Sequence, residues 1–178
     1  VWQLNLISVE PLVNSLEKIE NTVFDFAAMI PLQVYQCAND NPEKLSLIKK
    51  VIVGGGEISG ELNSMLQSFN NEFFATYGMT ETITHIAIKK LNGKDKSDYF
   101  NCLPGISVST DNRDCLVINA PRLSETEIIT NDVVFLQNNS SFQWLGRWDN
   151  VINSGGKKFF PEQLEKKAEK ITTKRNFF

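Results

Sequence analysis

The run Val51-Ile52-Val53 stops at Gly54-Gly55-Gly56, and the next stretch has helical rather than strand spacing. Ser59 is a good N-cap, after which Leu62, Met65, Leu66 and Phe69 fall at intervals of three and four. Glu72 to Thr76 then returns to strand character. A strand, a glycine turn, a helix and a second strand in succession specify a βαβ unit, and with it a parallel sheet. The alternation begins upstream. Leu4 to Val9 reads as a strand ended by Glu10-Pro11. Phe24 to Ile30 is an apolar run, and Pro31 opens a short helix through Tyr35, since proline suits the first helical turn.

Beyond Ile83 to Leu91, read as a strand, the texture changes. Asn92 to Ser97 is polar and flexible, and a subdomain boundary is placed there. Short β runs come next: Ile106 to Thr110 and Cys115 to Asn119 flank the four-residue loop Asp111-Asn112-Arg113-Asp114 as a hairpin. Glu127 to Thr130, Val133 to Leu136 and Phe142 to Leu145 continue the pattern, with Asn138-Asn139-Ser140-Ser141 as a turn. A last helix begins at Pro161, with Leu164, Ala168 and Ile171 as its apolar stripe and Glu162 and Glu165 at its positive end. The expected class is α/β: a βαβ-type parallel region over 1–95, a β-rich subdomain over 96–148, and over 149–178 a hinge with the start of a small α+β domain. Both ends, Val1-Trp2-Gln3 and Asn176-Phe177-Phe178, look cut from something longer.

Several function classes conflict with the composition. The net charge of -3 offers no positive excess to release counterions from nucleic acid. Lys89, Lys90, Lys94 and Lys96 are interleaved with Asp95 and Asp98 and read as a solvated loop. Three separated cysteines and one histidine make neither a disulfide framework nor a zinc site, and fit a reducing cytoplasm. No apolar run reaches the length of a membrane span.

Three stretches could carry chemistry. At Gly54-Gly55-Gly56-Glu57 a flat ligand or a phosphate can approach the backbone without meeting Cβ atoms, although a plain βα turn has the same sequence. Tyr77-Gly78-Met79-Thr80-Glu81-Thr82 also comes after a strand, where open α/β sheets bind ligands. Hydroxyls beside a carboxylate suit a phosphate with its Mg²⁺; a polar cap on a buried strand would look alike. The third stretch joins Thr130-Asn131-Asp132, Gly146-Arg147-Trp148-Asp149-Asn150, Ser154-Gly155-Gly156-Lys157 and Pro161-Glu162-Gln163-Leu164-Glu165. An isolated acid can accept two ribose hydroxyls and an arginine can donate to ribose or phosphate oxygens. Singly, Asp132 reads as a turn residue and Arg147 as a surface one.

Together and in this order, the stretches resemble the adenylate-forming superfamily of acyl-CoA synthetases, luciferases and adenylation domains. The glycine triplet resembles the adenine-flanking motif, YGMTET resembles Y-G-x-T-E, and TND is a variant of T-G-D with Asn131 where glycine is usual. GRWDNVINSGGKKFFPEQLE resembles G-R-x-D-x-x-I-x-x-G-G-x-x-x-x-P-x-E-x-E. The resemblance covers nearly the whole chain. It implies nucleotide binding by Gly55, Gly56, Glu57, Tyr77, Gly78, Met79, Thr80, Asp132 and Arg147. By the same resemblance Gly55, Gly56 and the strand Glu72 to Tyr77 line the adenine, Asp132 and Arg147 hold the ribose, and Thr80 touches the α-phosphate. Glu81 is implied as the Mg²⁺ ligand, so Thr80 and Glu81 are the catalytic pair. Asp149 is implied as the hinge and Gly155-Gly156 as a loop approaching the CoA channel.

The implied reaction joins a carboxylic acid to ATP as an acyl-adenylate and then transfers the acyl group to CoA. The partners are therefore ATP or AMP, CoA and an aromatic or aliphatic acid, and a homodimer is compatible. Two cationic parts of the family are missing: the Ser/Thr/Gly-rich phosphate loop with its lysine, and the late catalytic lysine, whose context Lys174 lacks. Phe24 to Val34, the compact region Asn119 to Leu145 and the short spacing between motifs are similar to the 2-succinylbenzoate–CoA ligases of menaquinone biosynthesis. His85 either faces the acyl pocket or is an ordinary core or surface histidine. A carrier-protein adenylation domain is the competing enzyme class, for which Asp25 is a poor amino-group partner. A non-catalytic βαβ interaction module leaves the third stretch unexplained.

Overall fold

The computed structural model describes residues 5–10, 12, 16 and 22–169. Strand β1 (Phe24–Met29) leads into α1 (Pro31–Asp40), α2 (Pro42–Ser46), β2 (Ile48–Val53), α3 (Gly60–Met65) and β3 (Glu72–Gly78). β1, β2 and β3 pair in parallel, Met29 with Val53 and Val53 with Ala75, as the βαβ reading requires. Helix α1 runs past Tyr35 to Asp40 because Val34, Cys37 and Ala38 continue a buried stripe against the sheet. Its start is fixed by Gln33, whose Oε1 accepts the Ile30 N–H at 3.0 Å. Ser59 caps α3 as expected, accepting the Leu62 N–H at 3.2 Å.

Two expectations at the amino-terminal end change. Residues 5–9 form no strand, and Leu6, Ile7 and Val9 are exposed (Leu4 lies outside the described residues). An apolar run with no partner ladder has its N–H and C=O groups left to water. The loop after β4 (His85–Lys90) is not uniformly flexible either. Asn92 at its start is buried, accepts the Phe73 N–H at 3.0 Å, and donates to the carbonyls of Leu66, Phe69 and Asn71. It ties α3 to β3.

From β3 onward every pairing is antiparallel. The remaining strands of this sheet are β5 (Phe100–Cys102), β6 (Ser107–Thr110), β7 (Cys115–Asn119), β8 (Ile128–Asn138) and β9 (Ser141–Arg147). They continue the same sheet in the order β1-β2-β3-β4-β5-β9-β8-β7-β6. The hairpin across Asp111 to Asp114 forms as read, with Asp111 accepting the backbone N–H groups of Arg113 and Cys115. The two expected runs from Glu127 to Leu136 are one strand, β8, with register shifts at Val133/Val134 and Leu136/Asn138. Thr130-Asn131-Asp132 therefore sits inside a strand, and Asp132 is no turn residue.

Three strands separate β3 from β8, so in a flat sheet they would lie about 19 Å apart at about 4.8 Å per strand. Yet a side chain of β3 bonds one of β8 directly at 2.6 Å. The sheet therefore curls, and the curl is what assembles the site. After β9 come a short 3-10 turn at Trp148–Asn150, the hairpin β10 (Ile152–Ser154) and β11 (Lys157–Phe159), and α4 (Pro161–Glu169); Ile171 and Lys174 lie outside the described residues. No described helix is long and apolar enough to cross a membrane.

Candidate nucleotide site

Asp132 is the centre of the arrangement. It is buried, and its carboxylate takes donors from two motifs far apart in sequence and from one residue outside them. The Tyr77 hydroxyl donates to Oδ2 at 2.6 Å, the Trp144 indole N–H donates to Oδ1 at 3.1 Å, and Arg147 Nη1 lies 3.4 Å from Oδ1. Its own N–H donates to Thr130 Oγ1 at 3.0 Å. Charge-assisted bonds of this kind are stronger than neutral ones. Tyr77 is held by its ring, which packs on Phe142 of β9 and Phe100 of β5 at centroid distances of 5.1 and 5.8 Å. Burial, and after it the charge and hydrogen bond of Asp132, push the Tyr77 phenol far above its ordinary value, so it is a fixed donor.

Trp144 carries no motif signature. It is adjacent to no motif glycine, and its approach to Asp132 depends on the register shift opposite it, where Val134 pairs with Trp144 while Asp132 pairs with Arg147. Its only sequence signal is a place three residues before Arg147 on a strand, and the motif reading missed it.

A second network runs from Asp132 toward the expected hinge. Arg147 also reaches Asp149 at 3.5 Å, and Asn131 donates to the same Asp149 oxygen at 3.3 Å. Asn131 in turn accepts from Arg113 Nη1 at 3.0 Å, and Arg113 is paired with Asp111 at 2.7 Å. The Trp148 ring faces Lys158 at 4.7 Å and Arg113 at 5.9 Å. Asn131, the departure from T-G-D, is thus the link between the hairpin loop and Asp149.

The other end of the site lies at the carboxyl ends of β2 and β3. Because Val53 pairs with Ala75, the glycine triplet and Tyr77-Gly78 stand side by side there. Gly55, Gly56 and Glu57 are exposed. Gly78 is required by packing: a Cβ on it would lie 2.7 Å from the His85 Cα and 2.5 Å from the Thr84 carbonyl oxygen. Met79 is half-buried. The two threonines of YGMTET separate cleanly. Thr82 is fully buried, its hydroxyl accepting the Met79 N–H at 3.0 Å and lying 2.9 and 2.8 Å from the Met79 and Thr84 carbonyls. Thr80 and Glu81 are exposed, and among the described residues no hydrogen bond or ion pair engages the Glu81 carboxylate.

Directly after them comes a strained residue. Ile83 has φ 63°, is 80% exposed, and is the centre of a γ-turn closed by Thr84 N–H to Thr82 C=O at 2.6 Å. His85, half-buried at the start of β4 opposite Gly78, has its Nδ1 3.3 Å from the Thr84 hydroxyl.

The carboxyl-terminal pieces are arranged differently from the loop reading. Gly155 and Gly156 form the two-residue turn of the β10–β11 hairpin, with Ser154 opposite Lys157. Both carry positive φ (57° and 75°), which such a turn demands and which glycine meets without a steric cost. Glu162 of α4 is buried. Its Oε1 accepts from Asn150 at 2.8 Å and from the Arg147 N–H at 3.4 Å, and a Cβ on Gly146 would collide with its Oε2. The helix therefore docks on β9 through a glycine and a carboxylate.

No family model matches the chain. It is 27% identical to the 2-succinylbenzoate–CoA ligase of Escherichia coli (strain K12) over 154 residues, 79% of this chain and 33% of that protein. The solved structure of an acyl-CoA synthetase (AMP-forming)/AMP-acid ligase II-like protein from Dyadobacter fermentans DSM 18053 is 36% identical. It superposes with a TM-score of 0.74 over 91% of this chain and 47% of that one. O-succinylbenzoate coenzyme A synthetase from Bacillus subtilis, solved in complex with ATP and magnesium ion, shares the fold at a TM-score of 0.63 and 17% identity, covering 79% of this chain and 35% of that one. The sequence and structural neighbours are AMP-forming acyl-CoA synthetases, and the mixed α/β sheet matches their fold. The chain spans about a third of the length of the curated relatives it matches, 33% and 36% of them.

Proposed function

We propose that this chain supplies the adenosine-binding and hinge region of an AMP-forming acyl-CoA ligase, with 2-succinylbenzoate as the acid. The observation that carries the reading is the convergence of YGMTET, TND and the GRWD segment on one buried carboxylate, through Tyr77, Asp132 and Arg147. In the first half-reaction a carboxylate oxygen of the acid attacks the α-phosphorus of ATP, and the bond to pyrophosphate breaks. In the second the CoA thiolate attacks the acyl carbonyl and AMP leaves with the bonding electrons. Catalysis of this kind depends on positioning and on neutralising charge.

In this reading Asp132 orients the ribose and the exposed triplet at Gly55-Gly56 borders the adenine. Thr80 meets the α-phosphate with its hydroxyl, and Glu81, exposed and without an ion pair among the described residues, fits Mg²⁺ shared with substrate phosphates. The bound ion would neutralise phosphate charge. Asp149 is the pivot, poised by Arg147 and Asn131, and the β10–β11 turn is the piece that approaches CoA. His85 borders the acid pocket. The assignment of 2-succinylbenzoate rests on the named relatives, joined to the resemblance of Phe24 to Val34.

The test is made on the longest protein in which this chain occurs. ATP–pyrophosphate exchange and thioester formation are measured with 2-succinylbenzoate, benzoates, short and long fatty acids and amino acids. Exchange and thioester with 2-succinylbenzoate ahead of the others is the expected outcome. Preference for another acid ends the narrow assignment, and exchange with amino acids without a CoA thioester would move the protein to the carrier-protein class.

A further inference from the structure

The three donors on Asp132 are not held equally. Tyr77 is held against the stacked pair of rings Phe100 and Phe142. Trp144 is a half-buried strand residue that packs on the hydrophobic core, so its N–H direction is set by the sheet. Arg147 sits at the end of a long side chain that is 45% exposed and divides itself between Asp132 and Asp149 at 3.4 and 3.5 Å. A carboxylate offers about four acceptor directions. Three are taken, and a ribose brings two neighbouring hydroxyl donors. One protein donor must therefore leave when a nucleoside binds, and Arg147 is the one free to do so.

We propose that Trp144 is a positioning residue of the nucleotide site. Its indole N–H, with the Tyr77 hydroxyl, fixes the plane of the Asp132 carboxylate so that the ribose 2′- and 3′-hydroxyls replace Arg147 Nη1 on it. The inference rests on the reading of Asp132 as the ribose acceptor, and it adds what that reading lacks: which donors stay and which one yields. A tryptophan that served only to fill the core would need its ring and would have no use for its N–H.

The indole proton makes the proposal directly observable in the chain as it stands. In ¹H–¹⁵N spectra, the Trp144 indole resonance is monitored during titration with AMP, 2′-deoxy-AMP and 3′-deoxy-AMP. AMP is expected to move it, and each deoxy analogue to move it less at equal saturation. Trp144→Phe keeps a ring and deletes the N–H. It should weaken AMP about tenfold and shrink the preference for AMP over its deoxy analogues, because a loosened carboxylate loses most of a charge-assisted bond. An indole resonance unmoved by AMP while neighbouring amides shift would overturn the proposal, and this needs no variant. A Trp144→Phe chain that keeps both affinity and discrimination would overturn it too, leaving the ribose reading intact. Equal binding of all three nucleotides by the unaltered chain would instead remove the ribose reading, and the role of Trp144 with it.

Discussion

The two ends of the candidate site are built on opposite plans. Around Asp132 the polar side chains engage one another: one buried carboxylate holds three donors, and Asn131, Arg113 and Asp149 extend the network. Around Thr80 and Glu81 the hydroxyl and carboxylate stand in solvent, on a turn fastened from beneath by Thr82 and strained at Ile83. The first end is preorganised, so a ligand there trades one contact for another. The second is a framework whose functional groups are completed only by what binds. Such a division suits a nucleotide whose sugar is constant through a reaction while charge moves at its phosphates.

The comparison breaks or sharpens first at Asp132. Asp132→Ala strands the Tyr77 hydroxyl and the Trp144 N–H without their acceptor, and is expected to cost about 3 kcal/mol in chemical denaturation, along with nucleotide binding. A loss below about 1 kcal/mol would mean that the preorganised end is not a structural unit. Next comes Ile83→Gly, which lets glycine take the positive φ; equilibrium unfolding should show a gain of about 1 kcal/mol. A loss of stability would show that the isoleucine side chain has a packing role its exposure hides. Glu81→Gln should leave stability within about 0.5 kcal/mol while abolishing any Mg²⁺-dependent gain in ATP binding, read by calorimetry with and without the ion. A variant as destabilised as Asp132→Ala would erase the contrast.

The smallest effect concerns acid. Burial raises the Asp111 carboxyl, but the Arg113 guanidinium and the backbone N–H groups of Cys115 and Arg113 outweigh it and hold the group below its usual value of 3.8. A depressed carboxyl contributes stability that is present above its unfolded value and lost as pH falls through the folded one. Thermal unfolding midpoints from about pH 5 to about pH 2 should therefore fall more for the unaltered chain than for Asp111→Asn. Parallel curves would detach the hairpin loop from the network.

What could be read from sequence was short-range. Pro31, Ser59 and the Asp111 loop act through their immediate neighbours, and each appeared where spacing put it. The parallel order of β1 to β3 was equally legible, because a helix between strands leaves few other topologies. The Asp132 cluster was legible only as a list of residue types. The bond from Tyr77 to Asp132 depends on the curl of a sheet with three strands between them, and no local pattern encodes a curl. The position of Trp144 depends on a register shift, and β8 ran through Asn131-Asp132 because its partner strand satisfied a polar stretch that alone resembles a turn. Gly78 was read among the nucleotide-binding residues, and the structure adds a packing demand on it from the backbone of Thr84 and His85.

Gly146 and Glu162 have a bearing on how such a chain can change over generations. The carboxylate occupies the space where any larger residue at 146 would place its Cβ, so the two positions, far apart on the chain, are inherited as one decision. An alanine at 146 arriving first meets Glu162 and is selected against. The same alanine arriving after a shorter side chain at 162 no longer meets the carboxylate, although it keeps the strain of a φ of 151° beside the Phe160 ring and the shorter residue has by then released Asn150. The order of substitutions, and not only their sum, therefore decides which descendants keep α4 seated on the sheet.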